Sequence, residues 1–410
     1  MRLYTLTSDL HGELTRNAHN EQFIKDIEAA IGQAFDYREG DFSDFGAWGD
    51  IIYVRTGGTE GIFRQVFQGH EGARVRLLTS GQSNSLAASM EILSWLNQQG
   101  LDGEILHGST EEIASELLKY YPALHRKASP MVQRYTEVGE LEGMRLGVVG
   151  HPSDWLISSN VDYAAARDKL GVELIDIPMD ELLANIPGVS ADELSAARAR
   201  LAPLNAPRYG SPIAKSDFDG ALSIYCALRQ IVLRHRLDGL TLRCFDLLTS
   251  VRNTGCLALA LLNADGLVAT CEGDVPAMLS MALMRKRYGK SGFQVNLSRI
   301  SDGTFLFAHC TVPLDMVTGY RYDTHFESGI GVALHGTLPV GPARLFKLGA
   351  DLDHCIDERI NIIDNPYGAN LCRTQVVVRS WANRDKELGK GALRNYMLQE
   401  PLGNHHIIVV

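Results

Sequence analysis

A chain of 410 residues is longer than one hydrophobic core ordinarily supports, and predicts roughly two or three domains. Its 45% hydrophobic and 21% charged residues are those of an ordinary globular protein, and a formal net charge of −10 without any basic block excludes nucleic acid or an anionic membrane surface as the main partner. No run of about 18 apolar residues offers a membrane span.

The opening "MRLYTLTSDLHGEL" lacks an apolar stretch, so a secretory leader is not expected. The first third alternates short apolar runs with amphipathic ones. "IIYVRTGG" (51–58) and "VRLLTSG" (75–81) read as strands ending in glycine turns. "NSLAASMEILSWLNQQG" (84–100) sets Leu86, Met90, Leu93 and Leu96 at helical spacing, with Ser83 as the expected N-cap and Gly100 closing the end. Such βα alternation predicts a parallel sheet covered by helices.

After a linker expected near 125–143, a second unit begins at "GMRLGVVGHPSDW" (143–155), where Arg145 to Val149 form a strand. A helix (161–171), a strand (172–178), a helix (220–239), the strand "LTLRCFDLL" (240–248) and the helix "CLALALLNADG" (256–266) follow. Beyond residue 290 the texture changes to short strand-like runs split by Gly and Pro, among them "GTFLFAHCTV" and "TQVVVR", which predicts an antiparallel sandwich or barrel. The expected fold is α/β: two doubly wound, Rossmann-like domains (1–140 and 141–288), then an antiparallel β-rich domain (289–410). The seven cysteines all fall in the second half without a CxxC pair. They read as buried thiols of a protein kept in a reducing cytoplasm.

Chemistry concentrates at "VATCEGDVP" (268–276). Ligands of open parallel sheets bind at the carboxyl ends of strands, and Glu272 follows such a strand. Asp274 precedes Val275-Pro276 and an apolar helix, which is the place of an N-cap, though a catalytic duty stays open for it. Gly273 lets the chain turn. Glu272 is then a solvated turn residue, a metal ligand or a base. His309 ends the run "TFLFAHC", His405 and His406 precede the last apolar residues, and "SGFQVNLS" carries Asn296. Oxygen and imidazole donors together suit Mn²⁺, Co²⁺ or Zn²⁺. Each histidine alone is as well explained by a hydrogen bond in the core.

Weaker signals surround this set. Thr59 lies in "TGGTEG", a glycine turn able to bring backbone N–H groups to a polyol or phosphate, or simply to turn. Asn84 caps a helix or meets a sugar. Trp155 in "HPSDWL" stacks on a sugar face or fills a half-buried site. His325 and Glu327 in "THFESG" are placed to line a cleft. Arg373 in "LCRTQ" reaches an acidic substituent or pairs with Glu327.

The stretches "CLALALLNADG", "TCEGDVPAMLSMALM", "FLFAHCTVP" and the terminal "GNHHIIVV" together resemble the L-fucose isomerase and L-arabinose isomerase superfamily. The likeness is strongest over 240–410, and the length is that of the shorter fucose-isomerase-like proteins. The resemblance implies aldose–ketose interconversion of a small sugar through an enediol(ate), with a divalent metal, usually Mn²⁺. It implies a homotrimer or homohexamer in which "TGGTEG" or "NSLAA" of one chain covers the site of another. By resemblance Glu272, His309 and His405 are ligands, and Asn296 stands where the family has a second acid. Asn cannot act as a base, so the proton carrier is open among Glu272, Asp274, Asp246 and Glu327. The same departure leaves room for carbon–carbon cleavage or transfer on a ketose-like substrate. A non-catalytic sugar-binding protein is the third reading.

Overall fold

The structure is a computed structural model that describes residues 1–8, 18–119, 129–201, 213–381 and 391–410. All counts below refer to these residues. Strands β1 (Arg2–Leu6), β2 (Asp36–Glu39), β3 (Ile51–Val54), β4 (Val75–Thr79) and β5 (Gly103–Leu106) pair in parallel in the order β2-β1-β3-β4-β5. Every residue of β3 and β4 is buried, as a sheet covered on both faces requires. The helix Ser85–Gln98 follows β4 as expected. Its N-cap is Asn84 rather than Ser83, held in the left-handed region at φ 59° without a capping side-chain bond.

Strand β6 (Gln133–Arg134) falls inside the expected linker but pairs with a C-terminal strand, opposite His354 and Cys355. Residues 125–128 of that linker lie outside the described residues. Strands β7 (Arg145–Val149), β8 (Glu173–Ile177), β9 (Gly239–Leu242) and β10 (Val268–Cys271) form a second parallel sheet in the order β10-β9-β7-β8. The strand expected over 240–248 stops at Leu242, and a short helix, Asp246–Ser250, takes its second half. The apolar pattern could not show this break. It falls where Arg243 turns to bond Asp246 Oδ1 at 3.0 Å and Pro152 O at 2.8 Å.

Both sheets reverse direction beside their first strand, between β1 and β3 and between β7 and β9. The carboxyl ends at such a reversal open a crevice.

The last third contains β11 (Phe293–Ser301), β12 (Thr304–His309), β13 (Gly319–Asp323), β14 (Ala333–Thr337), β15 (Gly341–Leu348), β16 (His354–Asp364), β17 (Thr374–Ser380) and β18 (His405–Val409). The antiparallel order β15-β18-β11-β12-β17-β16 closes on itself through β15–β16, so the expected sandwich or barrel is a barrel. Strands β13 and β14 form a separate ladder. Val54, Leu86, Leu242, Leu297 and Ile408 belong to one continuous core, so all the larger sheets pack together. All seven cysteines are buried, and no described helix is long and apolar enough to cross a membrane.

Candidate metal centre and cleft

Glu272 leaves the buried strand β10 with φ 66°, and Gly273 follows at φ 69°. A left-handed glutamate costs on the order of 1–2 kcal/mol. The turn is pinned from both sides: Gly273 N–H donates to Leu242 O at 3.0 Å, and Ser153 N–H to Glu272 O at 3.2 Å. A Cβ on residue 273 would lie 2.6 Å from His151 O and 2.9 Å from Pro152 Cα, so only glycine fits. Gly273→Ala therefore combines backbone strain with a clash against main chain. It should lower stability by at least about 2 kcal/mol, read as a fall in the thermal unfolding midpoint; an unchanged midpoint would show that the turn yields easily.

The barrel brings the imidazoles to this carboxylate. Asn296 on β11 is paired with His405 on β18 and with Ala308 on β12. One end of three neighbouring strands therefore presents Asn296, His405 and His309. Side chains alternate along β18, so His406 faces the other way, with its Nε2 3.0 Å from Tyr396 Oη and its ring near Phe307.

Glu272 Oε1 lies 3.6 Å from His309 Nε2 and 3.4 Å from His405 Nε2. The three donor atoms fall within 4.8 Å of one another. Each imidazole is oriented from behind. His405 Nδ1–H donates to Asp274 Oδ2 at 2.8 Å, and His309 Nδ1 is 2.9 Å from Thr311 Oγ1. His405 Nε2 and Asn296 Oδ1 are buried without a hydrogen-bond partner, a costly condition unless something else meets them. One carboxylate, two imidazoles turned by outer partners and an amide oxygen fit a first-row divalent ion.

The electrostatics agree. Burial alone would raise Glu272, but the charge of His405 first, and the closeness of both imidazoles, hold it well below the usual carboxylate range. Burial alone would lower His405; Glu272 and Asp274 outweigh it and push it up to about 10. Protons and metal thus compete for a site built for positive charge.

Through Glu272 the triad borders a cleft. Both sheet reversals reach it: Ser8, Gly57, Gly58 and Glu60 from the ends of β1 and β3, Trp155 and Phe245 from the loops after β7 and β9. Asn84, Asn296, Glu327 and Asn404 complete the polar wall. Trp155 Nε1–H donates to Glu272 Oε2 at 2.9 Å, and its ring meets Phe245 edge-on at 4.9 Å. Asn84 Nδ2 donates to Glu327 Oε1 at 2.8 Å, which accounts for an N-cap residue that caps nothing. Burial, then the charge of Glu272, raises Glu327 to about 7.

Glu60 was not singled out from the sequence. It is 2% exposed, its Oε2 has no partner, and burial followed by the charges of Glu91, Glu272 and Glu327 raises it well above the usual range. Its place directly after a glycine turn, at the first position of a helix, was the available signal.

Several expected residues are used otherwise. Thr59 is fully buried, and its hydroxyl donates to Thr56 O at 3.0 Å. Arg373 does not meet Glu327: its Nε–H donates to Thr324 O at 2.7 Å. His325 Nδ1 lies 3.0 Å from Ser328 Oγ. Both brace the loop that carries Glu327. Asp246 is bound by Arg243. Asp274 is fully buried; Oδ1 accepts from Ala277 N–H at 2.7 Å, so it caps the helix Val275–Tyr288 while Oδ2 holds His405. "TGGTEG" and "NSLAA" reach the cleft of their own chain, because both follow strands of a sheet packed on the barrel.

Behind the triad lies a buried charged layer that the sequence reading also missed. Glu91 accepts from Ser158 N–H at 2.8 Å and Asn404 N–H at 3.2 Å. Lys347 is fully buried, with Nζ 4.0 Å from Asp274 Oδ2. Burial and then Asp274 raise Glu91, while Lys347 opposes the rise.

No family model matches the chain. Among curated proteins it is similar to the sulfoquinovose isomerase of Alkalicoccus urumqiensis, at 20% identity over 65% of this chain and 60% of that one. The sulfoquinovose isomerase of Clostridium sp. (strain MSTE9) is 25% identical over 76% of this chain and 68% of its own length. That of Priestia aryabhattai is 23% identical over 51% and 48%. The chain thus aligns with between about half and two thirds of the length of these relatives, all of which are named as sugar isomerases.

Proposed function

We propose that the protein is a metal-dependent aldose–ketose isomerase acting on a sugar or sugar derivative. The observation that carries this reading is the Glu272 carboxylate facing His309 and His405, whose inner nitrogen is buried and unpartnered, at the floor of a polar cleft. The names of the relatives support the reaction class. Glu272, His309, His405 and Asn296 are the residues that would hold the ion, with Mn²⁺ the first choice. A divalent ion supplies polarisation of a substrate carbonyl and stabilisation of charge on the neighbouring oxygen. The chain supplies the rest. Trp155 fixes the Glu272 carboxylate, Asp274 sets the His405 tautomer, and the Asn84, Asn296 and Glu60 side chains offer hydrogen bonds to hydroxyls. Isomerisation moves one proton between adjacent carbons, through an enediolate of the substrate.

The test is metal analysis of the purified protein, followed by a panel of aldoses and ketoses, sulfoquinovose included, with a chelator and with added Mn²⁺. Interconversion of at least one sugar, lost on chelation and restored by Mn²⁺, is the expected result. Failure of every sugar in the presence of Mn²⁺ removes the isomerase reading, and sugar binding indifferent to the chelator would favour a non-catalytic binding protein. Asn296 favours a second reading, carbon–carbon cleavage or transfer on a ketose-like substrate. Asn296→Asp separates the two: a gain of isomerase activity marks a repurposed site. The corresponding expectation for assembly is a cytoplasmic homotrimer or homohexamer, measurable by light scattering.

A further inference from the structure

We propose that Glu327 is the acid–base residue that carries the proton between adjacent substrate carbons, in place of the carboxylate missing at Asn296. The assignment rests on the isomerase reading and goes further by naming its proton carrier. Four other candidates are engaged or chemically unfit. Asn296 has no basic atom. Glu272 faces two imidazoles through Oε1 and accepts the Trp155 N–H through Oε2, so both of its oxygens are committed. Asp274 is fully buried between a helix N-terminus and His405. Asp246 is held by Arg243.

Glu327 lines the same cleft as Glu272. Among the described residues its one hydrogen bond is from Asn84 Nδ2, at 2.8 Å to Oε1, which anchors one oxygen and leaves the other for substrate. Its loop is braced rather than loose. Arg373 holds Thr324 O, His325 N–H donates to Ile330 O at 3.0 Å, and Gly329 N–H donates to His325 O at 2.9 Å. A fixed carboxylate of raised basicity, poised near neutral pH, suits general base work.

In the aldose direction the ionised Glu327 takes the proton from C2. The C2–H electron pair forms the C1=C2 bond, and the carbonyl electron pair moves onto O1, giving the enediolate. The protonated Glu327 exchanges its proton with solvent while the enediolate persists, and then delivers a proton to C1. The C2–O⁻ pair becomes the new carbonyl once the hydroxyl proton has passed from O2 to O1. No atom is gained or lost and no oxidant is needed. Glu60, with its unpartnered Oε2 in the same cleft, is the rival for the carbon proton.

The experiment follows deuterium incorporation at C1 and C2 by NMR in ²H₂O with Mn²⁺, for the sugar panel above, in the wild type, Glu327→Gln and Glu60→Gln. Gln at 327 can still accept from Asn84. The assignment expects Glu327→Gln to lose at least about a hundredfold in exchange and in kcat, with KM and calorimetric Mn²⁺ affinity within a few-fold of the wild type. A smaller loss overturns it, as does loss of Mn²⁺ binding, or loss of exchange in Glu60→Gln with Glu327→Gln active. If the wild type exchanges with no sugar, the isomerase reading falls, and this assignment with it. Should Glu327→Gln fail to fold, Glu327→Asp decides: the withdrawn carboxyl must slow exchange while leaving Mn²⁺ affinity in place.

Discussion

Glu272→Gln is expected to abolish metal binding and activity while leaving the fold intact. The substitution keeps the volume of the side chain and replaces a charge that faces His309 and His405 at 3.6 and 3.4 Å. It removes the carboxylate from a set whose remaining donors are two imidazoles and an amide. Changing a partner behind a ligand already costs about 10–100-fold in affinity, so loss of the ligand itself should exceed about a hundredfold. Asp274→Asn provides the graded comparison. It retains an acceptor for Ala277 N–H but weakens the bond that sets His405, and should fall within the 10–100-fold range. Elemental analysis and calorimetry with Mn²⁺ read both. Stoichiometric Mn²⁺ retained in Glu272→Gln would remove this site as the metal centre.

Lys347→Met should cause the largest loss of stability among single substitutions away from the ligands. The ammonium is fully buried, 4.0 Å from Asp274, and it lowers Glu91, which Asp274 and burial raise. Methionine fills similar space but removes the ammonium that offsets the mutual repulsion of the buried Glu91 and Asp274 carboxylates, leaving His405 as the remaining cation beside Asp274. Removing one member of a buried charged set costs about 3–5 kcal/mol. The readout is the thermal midpoint together with hydrogen exchange of the helix Ser85–Gln98, since a chain of this size need not unfold in one step. Glu91→Gln in the same background should recover part of the loss, because it removes the repulsion. A single variant within about 1 kcal/mol of the wild type would show that water reaches this layer.

How much of this was legible depended on whether a residue's role was local. The β10 strand, its glycine turn and the Asp274 cap are written within nine residues, and the apolar run ending in two acids already points to Glu272. The two parallel sheets and the antiparallel barrel follow from alternation and punctuation. Roles created by long-range register were hidden. Nothing in "GNHH" tells which histidine faces Glu272; strand alternation decides only once β18 is aligned with β11. Glu91 and Lys347 sit in ordinary helical and strand patterns, where a charged residue reads as solvent-facing, and only packing of the barrel against the N-terminal sheet buries them. Local partners were equally hidden at Thr59, His325 and Arg373: polar side chains beside turns resemble ligands, and in the fold these bond nearby backbone and hydroxyl groups. The two-residue strand β6 carries almost no pattern and is defined by its partner alone.

The left-handed backbone of Glu272 has a practical side for anyone engineering a hardier variant. Glycine or asparagine would relax that φ angle, so a search for heat resistance would select them at 272. The gain would come from discarding the only carboxylate in the triad. Stabilisation at this residue and retention of the metal centre pull in opposite directions, and screens that score melting temperature alone would drift towards an inert protein.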